Sequence, residues 1–168
     1  MTCAFNRRTR ANMARLARLC ELTDVEIDQG PARMVGRAAD ELSYRLPARE
    51  IFADRCPLPD YLGGDLLAPT GIEIHPGGWV NLCAGLALGR ARERSLGSIL
   101  NDYDPRVHPI IRVLVDEGPV GLLKLAEARG YVRGAGYADD CHLCYEARRF
   151  LRPHYSGQLA PAHPYLRG

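Results

Sequence analysis

The chain carries one CxxC pair, Cys141 and Cys144, set between Asp139-Asp140 and the segment EARRFLR. This placement constrains the fold more than any other feature. Asp139 or Asp140 can cap a helix running from about Cys141 to Leu151, because a carboxylate accepts from the amides that a first turn leaves unpaired. Residues three apart on a helix share a face, so both sulfurs reach one centre. The unpaired amides and the positive dipole end favour thiolate, the form that binds metal. Arg133, Arg148 and Arg149 add positive potential, although the ordinary place for such a side chain is the solvated surface.

A CxxC pair alone is compatible with three chemistries. A c-type haem attachment needs His directly after the second cysteine, and Tyr145 stands there. A thioredoxin-like redox pair needs a strand feeding the helix, whereas a glycine-interrupted loop, Tyr131–Ala138, precedes this one. A metal site needs two more ligands. Cys56, in the loop RCPLPDYLGGDLLAPTG, and Cys83, at the end of an expected strand, lie at element edges from which a side chain can point to a shared centre. The spacing is then Cys56-x26-Cys83-x57-Cys141-x2-Cys144. Cys20 reads as a small buried hydrophobe on a helix face, and Cys3 lies near a mobile chain end. His75 and His142 are near enough to replace a thiolate in a mixed site, though an exposed or capping histidine is the plainer reading; His108, His154 and His163 receive no role. Four thiolates suit zinc and iron–sulfur clusters alike. Ligands recruited singly from separate segments favour the larger cluster over a single ion.

Nothing in the composition demands disulfides. With 168 residues, 46% of them hydrophobic, one core is within reach. Thiols in a reducing compartment bind metal or do redox chemistry more often than they cross-link. The 17 glycines and 12 prolines imply many turns. No apolar run approaches the roughly 20 residues of a membrane helix. The start, MTCAFNRRTRAN, lacks the apolar stretch of a signal peptide, so the chain reads as cytoplasmic. Net charge is only +2, from 22 basic and 20 acidic residues, and makes no global case for nucleic acid or membrane. Arg7, Arg8, Arg10, Arg15 and Arg18 precede the first acid, Glu21; such a start is compatible with a transit peptide or nucleic-acid arm, and more simply with a solvated helix face.

Periodicity and turn chemistry predict helices over Asn12–Leu22 and Met34–Tyr44, with a short strand at Val25–Ile27 between them. Ile72–His75, Pro76-Gly77-Gly78 and Trp79–Cys83 read as a β-hairpin that delivers Cys83 at its far end. Ser95 can cap a helix through Asp102, followed by helices over Val107–Glu117 and from Pro119 to Arg129. The tail HYSGQLAPAHPYLRG has no periodicity and reads as extended. The expected class is α+β: a mainly helical small domain with a β-hairpin, built around a four-cysteine metal site.

The hairpin GIEIHPGGWVNLCAG, followed by LGSILNDYDPRVHPII, EGPVGLL and YADDCHLCYEARRFL, resembles the auxiliary-cluster portion, called a SPASM or twitch domain, of radical S-adenosylmethionine proteins. The resemblance spans about residues 30 to 165. It implies that Cys56, Cys83, Cys141 and Cys144 hold a [4Fe-4S] cluster. It also implies a division into an N-terminal helical scaffold over 1–46, a remnant of a barrel, a cluster-binding domain over 47–155 and a tail over 156–168. The CxxxCxxC motif that anchors the family's radical-generating cluster is absent, so cleavage of S-adenosylmethionine by this chain alone is not expected. Ala84 stands where the family pattern has glutamine, and Gly85 follows the pattern. The implied function is electron transfer or structural support beside a separate barrel subunit or redox partner, as a fragment, a split subunit or a free-standing module. A zinc-stabilised interaction protein using the same four cysteines is the alternative, with a Cys141–Cys144 thiol oxidoreductase third. No phosphate loop, dinucleotide fingerprint or serine elbow is present. Asp102-Tyr103-Asp104 reads as a cap and turn rather than an acid–base pair, and Tyr145 and Glu146 as packing and ion-pair residues or contacts to a partner.

Overall fold

The hairpin turn is set by Gly78, whose φ of 82° few other residues adopt; its N–H donates to the His75 carbonyl at 2.7 Å. Strand β1 (Glu73–Ile74) thereby pairs antiparallel with β2 (Trp79–Cys83). The run Leu86–Arg90, unassigned in the sequence, forms a third strand, β3, antiparallel to β2 with Cys83 opposite Leu86. Ala84 and Gly85 make the connection, and Gly85 takes φ 77° there. The computed structural model that gives this sheet describes residues 33–57 and 65–166, together with helical, exposed positions at Ala14, Arg15 and Arg18. Those three agree with the first expected helix. The expected strand at Val25–Ile27, Cys3 and Cys20 lie outside the described residues. Contacts divide the chain into Met1–Pro31 and Ala32–Gly168, and the second unit is α+β, with helices around a three-stranded antiparallel sheet.

Helix α1 (Arg37–Leu42) runs into a 3₁₀ turn at Ser43–Arg45, shorter than the pattern predicts because Gly36 at its start has φ 55°. Ser95 caps α2 (Leu96–Asn101) as expected, its Oγ accepting from the Ser98 N–H at 3.1 Å. The two helices expected around Pro119 are the halves of α3 (Pro109–Glu127), broken at Gly118 with φ 62° and ψ −158°. Asp139 caps α4 (Asp140–Leu151) by accepting from the His142 N–H at 2.7 Å. Leu82 and Leu86 of the sheet meet Ile111, Leu114 and Leu122 of α3 and Tyr145 of α4 in one core, all of them at most 1% exposed. Truncating one such leucine to alanine costs about 2–5 kcal/mol.

The tail does not run extended. Gln158 O accepts from the Ala87 N–H at 2.8 Å and Ala160 O accepts from the buried Asn81 Nδ2 at 2.7 Å, so the tail backbone docks on the sheet. Leu159 and Tyr165 enter the core. Periodicity missed this because the tail is held by single anchors rather than by a face. Among the described residues no helix is long and apolar enough to cross a membrane.

His108, given no role in the sequence, caps α3. Its Nδ1 accepts from the Ile111 N–H at 3.1 Å while Nε2 donates to Ala87 O at 3.0 Å, an arrangement only the neutral ring can make. Burial pushes its pKa below the ordinary 6.5. Protons therefore bind the unfolded chain more readily, and this contribution to stability is complete above about pH 6.5 and is lost as pH falls toward the lowered folded value. Urea unfolding followed across this range will show that slope. His108→Asn keeps a capping acceptor and flattens the slope, and His108→Ala costs about 1 kcal/mol at neutral pH.

Candidate functional site: a cavity lined by four cysteines

Three separated segments bring four thiols to one place. Cys83 ends β2 beside the Ala84–Gly85 turn. Gly85 is required there by more than its φ, since a Cβ would stand 2.5 Å from the Tyr165 ring, whose hydroxyl donates to Gly85 O at 2.8 Å. Cys141 and Cys144 occupy the start of α4, Cys144 with 7% exposure. Cys56 lies on the loop before residue 58, which is tied down at three points. Arg49 N–H donates to Tyr137 O at 2.8 Å, and Ala53 N–H donates to Asp140 Oδ1 at 2.7 Å, one residue before Cys141. The backbone at Asp54–Arg55 crosses the break in α3 so closely that a Cβ on Gly118 would lie 2.5 Å from both Asp54 C and Arg55 N.

Cys56, Cys83, Cys141 and Cys144 form no disulfide and line one cavity, with Leu66, Leu86 and Leu114 among its apolar walls. The free volume is about 30 Å³, close to the share of one water in the liquid, so a larger group requires the thiol rotamers to open. Among the described residues no group of three His, Cys, Asp or Glu side chains is arranged to hold a metal ion. His142 and His75 do not line this cavity. His142 Nδ1 instead accepts from the Ala138 N–H at 3.0 Å, and His75 packs its ring 5.5 Å from that of His163.

Beneath the thiols lies Arg148, 1% exposed. This corrects the expectation of a solvated arginine. Nη1 donates to Ala84 O at 3.0 Å and to Cys83 Sγ at 3.5 Å, and Nε donates to Cys144 O at 3.4 Å. The guanidinium carbon stands 5.9 Å from the centre of the Tyr165 ring. Among the described residues no carboxylate forms an ion pair with it. The other two arginines have carboxylate partners: Arg149 bonds Asp40 and Glu146, and Arg133 bonds Glu127. Glu146 is thus the intrahelical ion pair expected of it, while the Tyr145 hydroxyl donates to Pro164 O at 2.6 Å. Asp102 ends α2 and pairs with Arg94, and Asp104 Oδ1 accepts from the Arg106 N–H, the cap and turn expected of them.

Cys141 and Cys144 are not held as thiolates by the protein alone. Burial, then the neighbouring Cys144, Asp139, Cys83 and Cys56, push the Cys141 thiol up. Burial does the same to Cys144, opposed in part by Arg148. A helix end contributes at most about 2 kcal/mol even when partly buried, less than the several kcal/mol needed to take an anion out of water. A cation arriving in the cavity reverses the balance, because thiolate ligands release their protons on binding metal.

No protein-family model, no curated protein and no solved structure matches the chain.

Gly118 and Tyr165 are the site residues that the sequence did not reveal, together with the burial of Arg148 and the close approach at Gly85; the one local signal was the Gly118-Pro119 step inside a helical pattern. Gly118→Ala is expected to cost about 1–3 kcal/mol from backbone strain and more if the Asp54–Arg55 backbone cannot yield. Unfolding midpoints measure the first effect. Faster modification of Cys56 by a thiol reagent, at a concentration of denaturant well below the midpoint, reports the second.

Proposed function

We propose that this chain is an accessory iron–sulfur domain in which Cys56, Cys83, Cys141 and Cys144 hold a [4Fe-4S] cluster, as in the SPASM or twitch portion of radical S-adenosylmethionine proteins. The observation that carries the reading is the buried guanidinium of Arg148 beside four thiols, with no carboxylate pairing it among the described residues. A buried charge of this kind is costly unless an opposite charge lies close. A cluster bound by four thiolates carries about −2 in its oxidised state and supplies one electron's worth of redox capacity. With every iron held by protein no position remains for substrate, which leaves electron transfer or structural support as the role. Arg148 neutralises charge and donates to Cys83 Sγ, the kind of outer contact that tunes a potential. Gly85, Gly118 and the Asp140 carboxylate hold the three ligand-bearing segments in register. A separate barrel subunit carrying CxxxCxxC, or a redox protein, is the partner this role calls for.

The small free volume favours a second reading, one zinc ion bound by the same four thiolates in an interaction protein. Neither reading has its donors already grouped, since among the described residues no three His, Cys, Asp or Glu side chains are arranged to hold a metal ion.

Protein purified and reconstituted without oxygen separates the two. The cluster predicts about four irons and four sulfides per chain with broad absorption near 400 nm, and Cys56→Ser or Cys83→Ser lowers the iron content severalfold. Uptake of one zinc and no iron overturns the cluster in favour of the ion. A Cys141–Cys144 disulfide couple that survives both substitutions, with no metal bound, supports a thiol oxidoreductase instead. Arg148→Gln lowers the reduction potential of any cluster that forms, whereas Arg148→Lys retains more of it.

A further inference from the structure

A second cavity, of about 420 Å³, lies between α1, the loop 131–137 and α4. Its size falls within the roughly 300–1,000 Å³ typical of small-molecule sites. The polar side chains lining it include Asp40, Tyr131, Tyr137, His142, Glu146 and Arg149. Two carboxylates there share one guanidinium. Arg149 Nη1 donates to Asp40 Oδ1 at 2.8 Å and Nη2 donates to Glu146 Oε2 at 2.7 Å. The second oxygen of each carboxylate is left over: Asp40 Oδ2 is buried without a hydrogen-bond partner, and Glu146 Oε1 stands 3.9 Å from His142 Nε2, beyond hydrogen-bond reach. The side chains of Asp40, Glu146 and Arg149 are 21%, 17% and 16% exposed, so solvent and salt screen this imbalance only weakly. The Tyr131 and Tyr137 hydroxyls lie 3.1 Å apart, a pair in which one hydroxyl donates to the other, whose own proton remains available.

These features select among ligand charges. An anion would meet two carboxylates for one guanidinium. A neutral guest would leave the excess negative charge where it is. An ammonium group balances the excess negative charge and can donate to Glu146 Oε1, and aromatic rings attract it. We infer that this cavity binds the primary ammonium group of an organic amine, held by Glu146 with the charge of Asp40 beside it and flanked by Tyr131 and Tyr137. The site uses no metal, so its fate is separate from that of the cysteine cavity. The amine can belong to a small molecule or to a peptide, and the two sources present the same group.

Titration of the full chain with n-butylamine, followed by amide NMR shifts and calorimetry, tests the assignment, with n-butanol and acetate as neutral and anionic controls. Saturable binding of butylamine is expected, with shifts centred on residues 40, 131, 137 and 146 and affinity at least tenfold above butanol. Asp40→Asn should weaken it tenfold or more. Because that change also loosens Arg149, a second variant is needed. Gly134 lines the cavity, and a Cβ there meets nothing within 4 Å, so Gly134→Leu adds a side chain at the cavity wall with no clash at Cβ and should abolish binding, with the melting temperature measured as the check on the fold. A blocked peptide with one lysine, compared with its norleucine counterpart, identifies the source: tighter binding than butylamine assigns the site to peptides, weaker binding to small amines. Equal binding of butanol, saturable binding of acetate alone, or butylamine binding unaffected by Gly134→Leu overturns the inference.

Discussion

The arrangement depends on one buried charge. Arg148 is closed off from water, and every partner it has among the described residues is a carbonyl, a thiol or an aromatic ring. Three of those contacts tie another element to α4: Ala84 fixes the turn after β2, Cys83 the end of the strand, and Tyr165 the docked tail. Removing the guanidinium would loosen three attachments together. Its electrostatic requirement points the same way as the thiols. Cys141 and Cys144 resist ionisation, and a buried cation without a carboxylate among the described residues resists isolation; thiolates formed around a bound metal satisfy both.

Close approach supplies the rest of the precision. At Gly118 and Gly85 the absence of a side chain is what allows a backbone segment or a ring to come within van der Waals distance. Gly118 breaks α3 and opens the gap that the Cys56 loop crosses, so a defect in helical regularity positions a functional residue. At Gly85 a tight turn admits Tyr165, which in turn covers Arg148. Both glycines have positive φ, and a larger residue at either would strain its own backbone as well as displace its neighbour.

Local chemistry was legible, and long-range chemistry was not. Ser95 and Asp139 announce their helices because a cap needs only the next three residues, and the Pro76-Gly77-Gly78 turn fixes the hairpin for the same reason. The CxxC pair at the start of α4 follows from its cap. Cys56 and Cys83 were distinguishable from Cys20 by lying at element edges, and they do line the same cavity as Cys141 and Cys144. Strand β3 escaped notice because Leu86–Arg90 is too short and too evenly apolar to declare a period. Arg148 looked like an ordinary solvated arginine, since nothing within a few residues records that Ala84 and Tyr165 arrive from elsewhere. The ionisation of the thiols was misjudged for a related reason: a helix end is visible in sequence, whereas the desolvation that outweighs it comes from the assembled walls.

The manner in which the Cys56 loop is anchored bears on how such a chain tolerates change in length. Its ties run to Tyr137, Asp140 and the break in α3, all remote in sequence, and none depends on the number of residues between one cysteine and the next. Doubling the length of a flexible connection adds only about 0.6 kcal/mol of closure entropy. The intervals of 26 and 57 residues between successive thiols are therefore open to insertion and deletion, while the crossing points are not. Chains that share this cavity would be recognised by a glycine where two backbones cross and an arginine four residues after the final cysteine, and only poorly by the spacing of the cysteines themselves.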